Sequence, residues 1–555
     1  MDSCHQWWRL AAQRLRAGLA SLELRRRSGT SKPLRLRAAF SRPPAALLFV
    51  ALALGVGTIL SAGLIASIPA EQALPNPAPR DWLQFNYDPQ HSGDNIAENL
   101  LSARNVASLT RSFQVTLPGV ADGAPVYLTG VKTPSGTRDL LFLTTKAGDI
   151  IALDAHTGAQ VWIQHNPAGE CFVNNGSVPC YTTSSPAIDP NRQYVYSYGL
   201  DGRVHKYQVS DGQEIISQGW PQVATLKPYD EKGSSALAFA TDRNGATYLY
   251  VTNSGYLGDG GDYQGHVIAI NLASGVQHVF NSLCSDQPVH FVSASSSPSC
   301  SQRQSGIWAR PGVTYDPQTD RIYAVTGNAL FDPTEHAWGD TVLALNPDGT
   351  GNSGSPVDSY TPRNYQQLQD SDTDLGSSVP ALLPTLPGSR FSHLGLLVGK
   401  DGLLRLLNRD DLSGQGGPGH TGGEIGQPVS VPQGGVVRTQ PAVWVNSTDR
   451  RTWVFVANDN GLAAFTLEAS GDGTPSLQLV WQSRAGGTSP IVANGVLYYV
   501  SSAGIRALNP TTGEKLWEDA TVAAFHWESP IVAGGTLYIT DENGKLTAYG
   551  VPSFP

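Results

Sequence analysis

One pattern recurs eight times along the chain and restricts it to a repeat architecture. Residues 149–162 read Asp-Ile-Ile-Ala-Leu-Asp-Ala-His-Thr-Gly-Ala-Gln-Val-Trp, and residues 504–517 read Gly-Ile-Arg-Ala-Leu-Asn-Pro-Thr-Thr-Gly-Glu-Lys-Leu-Trp. Weaker copies begin at Gly202, Gly265, Thr341, Gly402, Gly461 and Gly544. An apolar strand and a tight turn precede each copy, as at Asp201-Gly202 and Asn543-Gly544, pairs that supply the positive φ of two-residue hairpins. Further upstream lies another short strand opening on a small residue or proline, such as Ser185-Pro186, Gln440-Pro441 or Ser529-Pro530. The unit is thus four strands, and four-stranded units repeated at roughly 40–70 residues predict a β-propeller.

The count closes on itself. The eighth unit runs out at Tyr549 without an outer strand, while Leu109–Val115 reads as an outer strand with no inner strands of its own. Pairing the two leaves no free sheet edge. Composition agrees, with 59 glycines, 38 prolines and only 15% charged residues, against about a quarter in an average globular protein. The expected fold is all-β: an eight-bladed propeller of four-stranded blades over residues 105–555, preceded by a single transmembrane helix.

That helix is expected at residues 44–68, where Ala45 to Ile68 contains no charged residue and is long enough to cross a bilayer. Residues 1–43 carry ten Lys or Arg against Asp2 and Glu23, so the remainder of the chain, whose total net charge is −9, is acidic. Arginines before the apolar run place that basic head in the cytoplasm and the propeller on the periplasmic or extracellular side. Residues 69–104 form a linker and N-terminal extension. An acidic body argues against nucleic acid as a partner. Cys171, Cys180, Cys284 and Cys300 all follow the apolar run, and local pairing into 171–180 and 284–300 suits an oxidising compartment.

The Ala-Leu-Asp/Asn…Thr-Gly…Trp signature resembles the pyrroloquinoline-quinone (PQQ) repeat of quinoprotein-type β-propellers. In that repeat the tryptophan packs blade against blade, so Trp162, Trp481 and Trp517 are expected to dock blades. Three loops resemble those of PQQ-dependent alcohol dehydrogenases. Thr326-Gly-Asn-Ala-Leu-Phe-Asp332 looks like a calcium loop, which implies Asn328 and Asp332 as ligands and Asn328 beside the cofactor, with Asp259 or Asp262 of the blade-three loop as a further ligand. Asp374-Leu-Gly376 resembles the loop of the catalytic base. Gly399-Lys-Asp-Gly402 puts Lys400 where a cation polarises the quinone carbonyl, and Trp308 lies upstream of the position of the tryptophan under the quinone. The sequence departs from those enzymes in having no adjacent cysteine pair, no glutamate in the blade-three loop and no Cys-x-x-Cys-His. The expected function is a membrane-anchored scaffold binding a small-molecule ligand or an extracytoplasmic protein partner. The alternative is a PQQ- and calcium-dependent dehydrogenase of an alcohol, sugar or aldehyde, with Asp374 and Lys400 as its catalytic residues.

Overall fold

Strands 126–164, 187–223, 238–281, 314–360, 381–430, 442–483, 491–519 and 531–550 form eight consecutive antiparallel sheets, blades 1 to 8. This computed structural model describes residues 80–552 except 167–171, 174–177, 218, 257–258, 288–299 and 523–524. The basic head and the apolar run at 44–68 lie outside the described residues. No helix among the described residues is long and apolar enough to cross a membrane.

Within a blade the middle strands are covered on both faces by neighbouring blades, so they read as continuous apolar runs. Thr452–Asn458 of blade 6 is buried at every position. Outer strands meet solvent, and Thr110–Thr116 is mostly exposed. That strand supplies the missing edge of blade 8: Thr110 faces Gly550 and Thr116 faces Lys545 in antiparallel register. The ring closes as the repeat count requires. The Cys284–Cys300 disulfide joins the loop between blades 3 and 4, whereas Cys171 lies outside the described residues.

The repeat tryptophans dock one blade on the next. Trp162 Nε1 donates to Val209 O at 3.1 Å, Trp481 Nε1 to Pro510 O at 2.9 Å and Trp517 Nε1 to Leu109 O at 3.0 Å. The glycine of the turn before the outer strand accepts the indole: a Cβ on Gly212, in an Asp-Gly turn, would lie 2.6 Å from the Trp162 ring, and one on Gly513, in a Thr-Gly turn, 2.8 Å from Trp481. Glycine is required there for both its absent side chain and its positive φ.

Residues 81–95 do more than connect. They run across one end of the central channel and meet the inner strands of seven blades. Trp82 exchanges two main-chain bonds with Tyr127 of blade 1, and Leu83 O accepts from Ile188 of blade 2 at 2.8 Å. Gln84 Oε1 accepts from Phe239 N of blade 3 at 2.7 Å. Pro89, Ser92 and Gly93 carbonyls accept from Tyr315, Val443 and Val492 of blades 4, 6 and 7, at 3.0, 2.8 and 2.7 Å. Asn95 Nδ2 donates to Val532 O of blade 8 at 2.7 Å. Asp94 and Asn95 also add a short parallel strand to blade 7. This plug covers the end carrying the first-to-second-strand turns, as the Arg192–Asp81 ion pair (2.7 Å) and the Gly535 N–H bond to Glu98 Oε2 (3.1 Å) show. The opposite end carries the second-to-third-strand turns and the loops that lead into each inner strand.

Candidate functional site

At that opposite end, loops of blades 4 and 5 bring Trp308, Asp374 and Lys400 together. Asp374 and Asp372 lie in the loop entering blade 5, Lys400 in the next turn of the same blade, and Trp308 in the loop entering blade 4. Lys400 Nζ is 2.9 Å from Asp374 Oδ2 and 3.2 Å from Asp372 Oδ1. Trp308 Nε1 donates to the same Asp374 Oδ2 at 3.0 Å, and the Lys400 ammonium stands 5.3 Å from the Trp308 ring centroid. The backbone fixes this geometry, since Lys400 N–H donates to Asp374 O at 2.9 Å. Gly327 leaves room for it: a Cβ there would sit 3.2 Å from Trp308 Nε1 and 3.3 Å from Asp374 Cγ.

Burial raises the Asp374 carboxyl above the ordinary carboxylate range, an effect that Lys400 only partly offsets. Burial also opposes the charge on Lys400, but the two carboxylates outweigh it and raise the ammonium's pKa. Behind Asp374 sits Asp340, 1% exposed, whose Oδ1 accepts the Leu375 N–H at 2.9 Å. Its Oδ2 is buried without a hydrogen-bond partner, and burial pushes the carboxyl up to about 8. Burial thus raises both neighbouring carboxyls of this corner, Asp374 beside an ammonium and Asp340 without one, and such perturbed groups are typical of functional sites.

The expected calcium ligands take separate roles. Asp332 caps the 3-10 turn Pro333–Glu335, accepting from Thr334 N at 2.9 Å and Thr334 Oγ1 at 2.7 Å. Asp259 accepts the Tyr263 hydroxyl at 2.7 Å. Asn328 Nδ2 donates to Asp372 Oδ1 at 3.1 Å, which leaves its own buried Oδ1 without a partner. Calcium takes six to eight oxygens around one point. Among the described residues Asp259, Asp332 and Asp374 do not form such a group, and Lys400 already stands between Asp372 and Asp374. These residues do not fit a calcium ion, and two carboxylates already facing the one ammonium suit a tricarboxylate such as PQQ poorly.

Several residues at the mouth carry no repeat or loop motif. Trp527, from the loop entering blade 8, meets Trp308 edge-to-face at 5.9 Å, so two opposite blades touch across the axis. Arg310, 2% exposed, fills the space below, 5.3 Å from the Trp527 ring and 5.7 Å from Phe85 of the plug. Its guanidinium donates to Thr183 O and Asp122 O, both at 3.2 Å, and burial brings it down to about 10, still charged near neutrality. Lys232 is 6% exposed, 4.1 Å from the Tyr181 ring, and burial lowers it to about 7. Among the described residues the hub is therefore filled at this level, with Trp308 and Trp527 part-exposed above Arg310. The one sequence signal for these residues is positional: Trp527 and Arg310 fall within three residues before the proline that opens an inner strand.

Two family models match. Residues 87–351 match the glucose/ethanol/alcohol dehydrogenase β-propeller domain, and residues 447–552 match the outer membrane protein assembly factor BamB. No curated protein sequence matches the chain. Among solved structures, a quinohemoprotein alcohol dehydrogenase from Pseudomonas putida is similar over 86% of this chain and 81% of its own, at 14% identity and a TM-score of 0.55. A europium-containing methanol dehydrogenase aligns with 85% of this chain and 98% of its own, at 15% identity and 0.55. The quinohemoprotein alcohol dehydrogenase of Comamonas testosteroni covers 86% of this chain and 82% of its own, at 15% and 0.54. At such identities the likeness is one of fold. Taken with the eight blades, the closing strand and the docking tryptophans, these matches establish that the chain belongs to the PQQ-repeat, quinoprotein-alcohol-dehydrogenase-like β-propeller family.

Proposed function

We propose that this chain is a membrane-anchored, extracytoplasmic PQQ-like propeller that binds a hydroxyl-bearing small molecule, an alcohol or sugar, at its open mouth, and acts as a binding scaffold. The observation that carries this reading is the meeting of Trp308, Asp374 and Lys400 at the open end of a hub that the chain closes at the other. Indole faces pack on the flat apolar side of a ring, while carboxylates accept from its hydroxyls. Trp308 and Lys400 both bond Asp374 through Oδ2, so Oδ1 is left to accept from a ligand. The Arg-rich head before the uncharged run at 45–68 supports a cytoplasmic N-terminus. The Cys284–Cys300 disulfide supports an oxidising location for the propeller.

The dehydrogenase reading has one observation in its favour: the aspartate, lysine and tryptophan that the resemblance implies do meet. When bound, PQQ would supply a two-electron acceptor for an alcohol. Titration of tryptophan fluorescence with monosaccharides and polyols, and separately with PQQ with and without calcium, tests the two. The expected result is saturable quenching by a polyol or sugar, abolished in Trp308→Ala and weakened at least tenfold in Asp374→Asn. Calcium-dependent, one-to-one PQQ binding that Lys400→Ala weakens would replace the scaffold by the dehydrogenase.

A further inference from the structure

Across the mouth from Lys400, the loops of blades 8 and 1 gather a second set of polar groups. His526 Nδ1 lies 2.8 Å from Asp122 Oδ2, and Asp122 Oδ1 accepts the Trp527 N–H at 2.9 Å. The Asp122 side chain is fully buried, whereas that of His526 is 54% exposed and so reachable from the mouth. Glu542, in a turn of blade 8, completes a trio of ligand atoms that all lie within 4.8 Å of one another, the one such group among the described residues.

A second observation points at the same spot. Glu528 is fully buried, and its Oε2 accepts the His526 N–H at 2.5 Å. Its Oε1 has no partner, and the charges of Asp122 and Glu542 both bear on it. Two carboxylates and an imidazole thus converge on one position, and the Glu528 carboxyl braces it from behind. Lys146 Nζ now stands there, 2.6 Å from Glu542 Oε1 and 3.3 Å from Asp122 Oδ2, on a side chain 31% exposed and able to swing outward.

We infer that His526, Asp122 and Glu542 form a binding site for a divalent transition cation of the zinc class, which Lys146 occupies in the metal-free protein. One imidazole and two carboxylates make a nitrogen-oxygen donor set suited to zinc, and three protein ligands leave a fourth position open toward the mouth. Glu528 supports the set from behind by holding the His526 backbone, the outer-shell role that orients ligands at such sites. Binding moves the Lys146 side chain into solvent and breaks its two ion pairs. The inference does not depend on the ligand proposed at Trp308.

The test uses full-length, tag-free protein in mild detergent, stripped with a chelator and titrated with Zn²⁺ alone by calorimetry. Co²⁺ is added in parallel to read visible absorption. One equivalent of Zn²⁺ is expected, with affinity falling at least tenfold in both His526→Ala and Glu542→Gln, and rising severalfold in Lys146→Met because the competing ammonium is gone. Far-UV circular dichroism checks that each variant is folded. The absence of stoichiometric zinc in the wild type, zinc binding unchanged in His526→Ala and Glu542→Gln, or weaker binding in Lys146→Met would each overturn the inference.

Discussion

Asp340 has a strongly perturbed carboxyl in the Trp308 corner, and its titration follows from its surroundings. It is 1% exposed, its Oδ2 has no partner, and burial, aided by the Asp374 charge and opposed by the Leu375 N–H, lifts it to about 8. A folded-state pKa above the ordinary value of 3.8 means that the native protein keeps a proton the unfolded chain releases. The contribution is therefore fully present below about pH 4 and is lost as pH rises through about 8. Asp340→Asn mimics the protonated form and keeps the bond to Leu375. Its denaturant midpoint should hold while the wild type falls relative to it between pH 4.5 and 8, by on the order of 2–5 kcal/mol in stability. Parallel pH profiles for the two proteins would show that Asp340 ionises freely. In sequence, nothing separates Asp340 in Trp338-Gly-Asp-Thr341 from an ordinary turn aspartate. Asp374 and Lys400 were legible because their loops resemble known ones. The roles of Asp259 and Asp332 were not, because a turn carboxylate spends itself on whichever hydroxyl or N–H the local backbone offers, here Tyr263 and Thr334.

At the scale of the blade, the repeat is a docking device, and its glycine and tryptophan act as one unit. The indole of one blade lies on the turn glycine of the next, so the sequence signature encodes an interface rather than a ligand site. Gly212 and Gly245 have comparable positive φ, 73° and 85°, but only Gly212 faces a ring, with a Trp162 atom 2.6 Å from where an alanine methyl would lie. Around Gly245 nothing lies within 4 Å. Gly245→Ala should cost only the left-handed backbone penalty, about 1–2 kcal/mol. Gly212→Ala adds displacement of the Trp162 ring and loss of its bond to Val209 O, roughly 1–3 kcal/mol more. Urea unfolding of the two variants measures the difference, and equal losses would mean that the ring moves aside freely. Strands and turns of this kind were readable along the whole chain because Asp-Gly and Asn-Gly turns punctuate apolar runs of fixed length. The two-residue strands at Glu231–Lys232 and Phe331–Asp332 were not, being set by pairing across long loops rather than by any local period.

For the whole molecule, two devices close the structure, and only one of them shows in the sequence. The strand Thr110–Thr116 was evident because its absence from blade 8 left the repeat count incomplete. The plug was not, because residues 81–95 meet the inner strands mainly through single hydrogen bonds, with no periodicity to read. Much of the mouth escaped for a related reason: Asp122 and His526 are 404 residues apart and become neighbours only once the ring is shut. The plug also reaches the hub, where its Phe85 supports Arg310 beneath Trp527. Its side chains Trp82 and Phe85, and Leu101 just beyond it, are 0, 0 and 1% exposed. At ~1.5–3 kcal/mol for each fully buried apolar side chain, they contribute roughly 5–9 kcal/mol before their hydrogen bonds are counted. A chain beginning at residue 103 should therefore unfold at distinctly lower urea than one beginning at residue 72, while keeping its β-type circular dichroism because the closing strand at 110–116 is intact. Its Trp527 emission should shift to the red as Arg310 loses Phe85 and water enters the hub from below. If both chains unfold at the same urea concentration with the same emission, the ring holds its axis without the plug, and the mouth owes its shape to the blades alone.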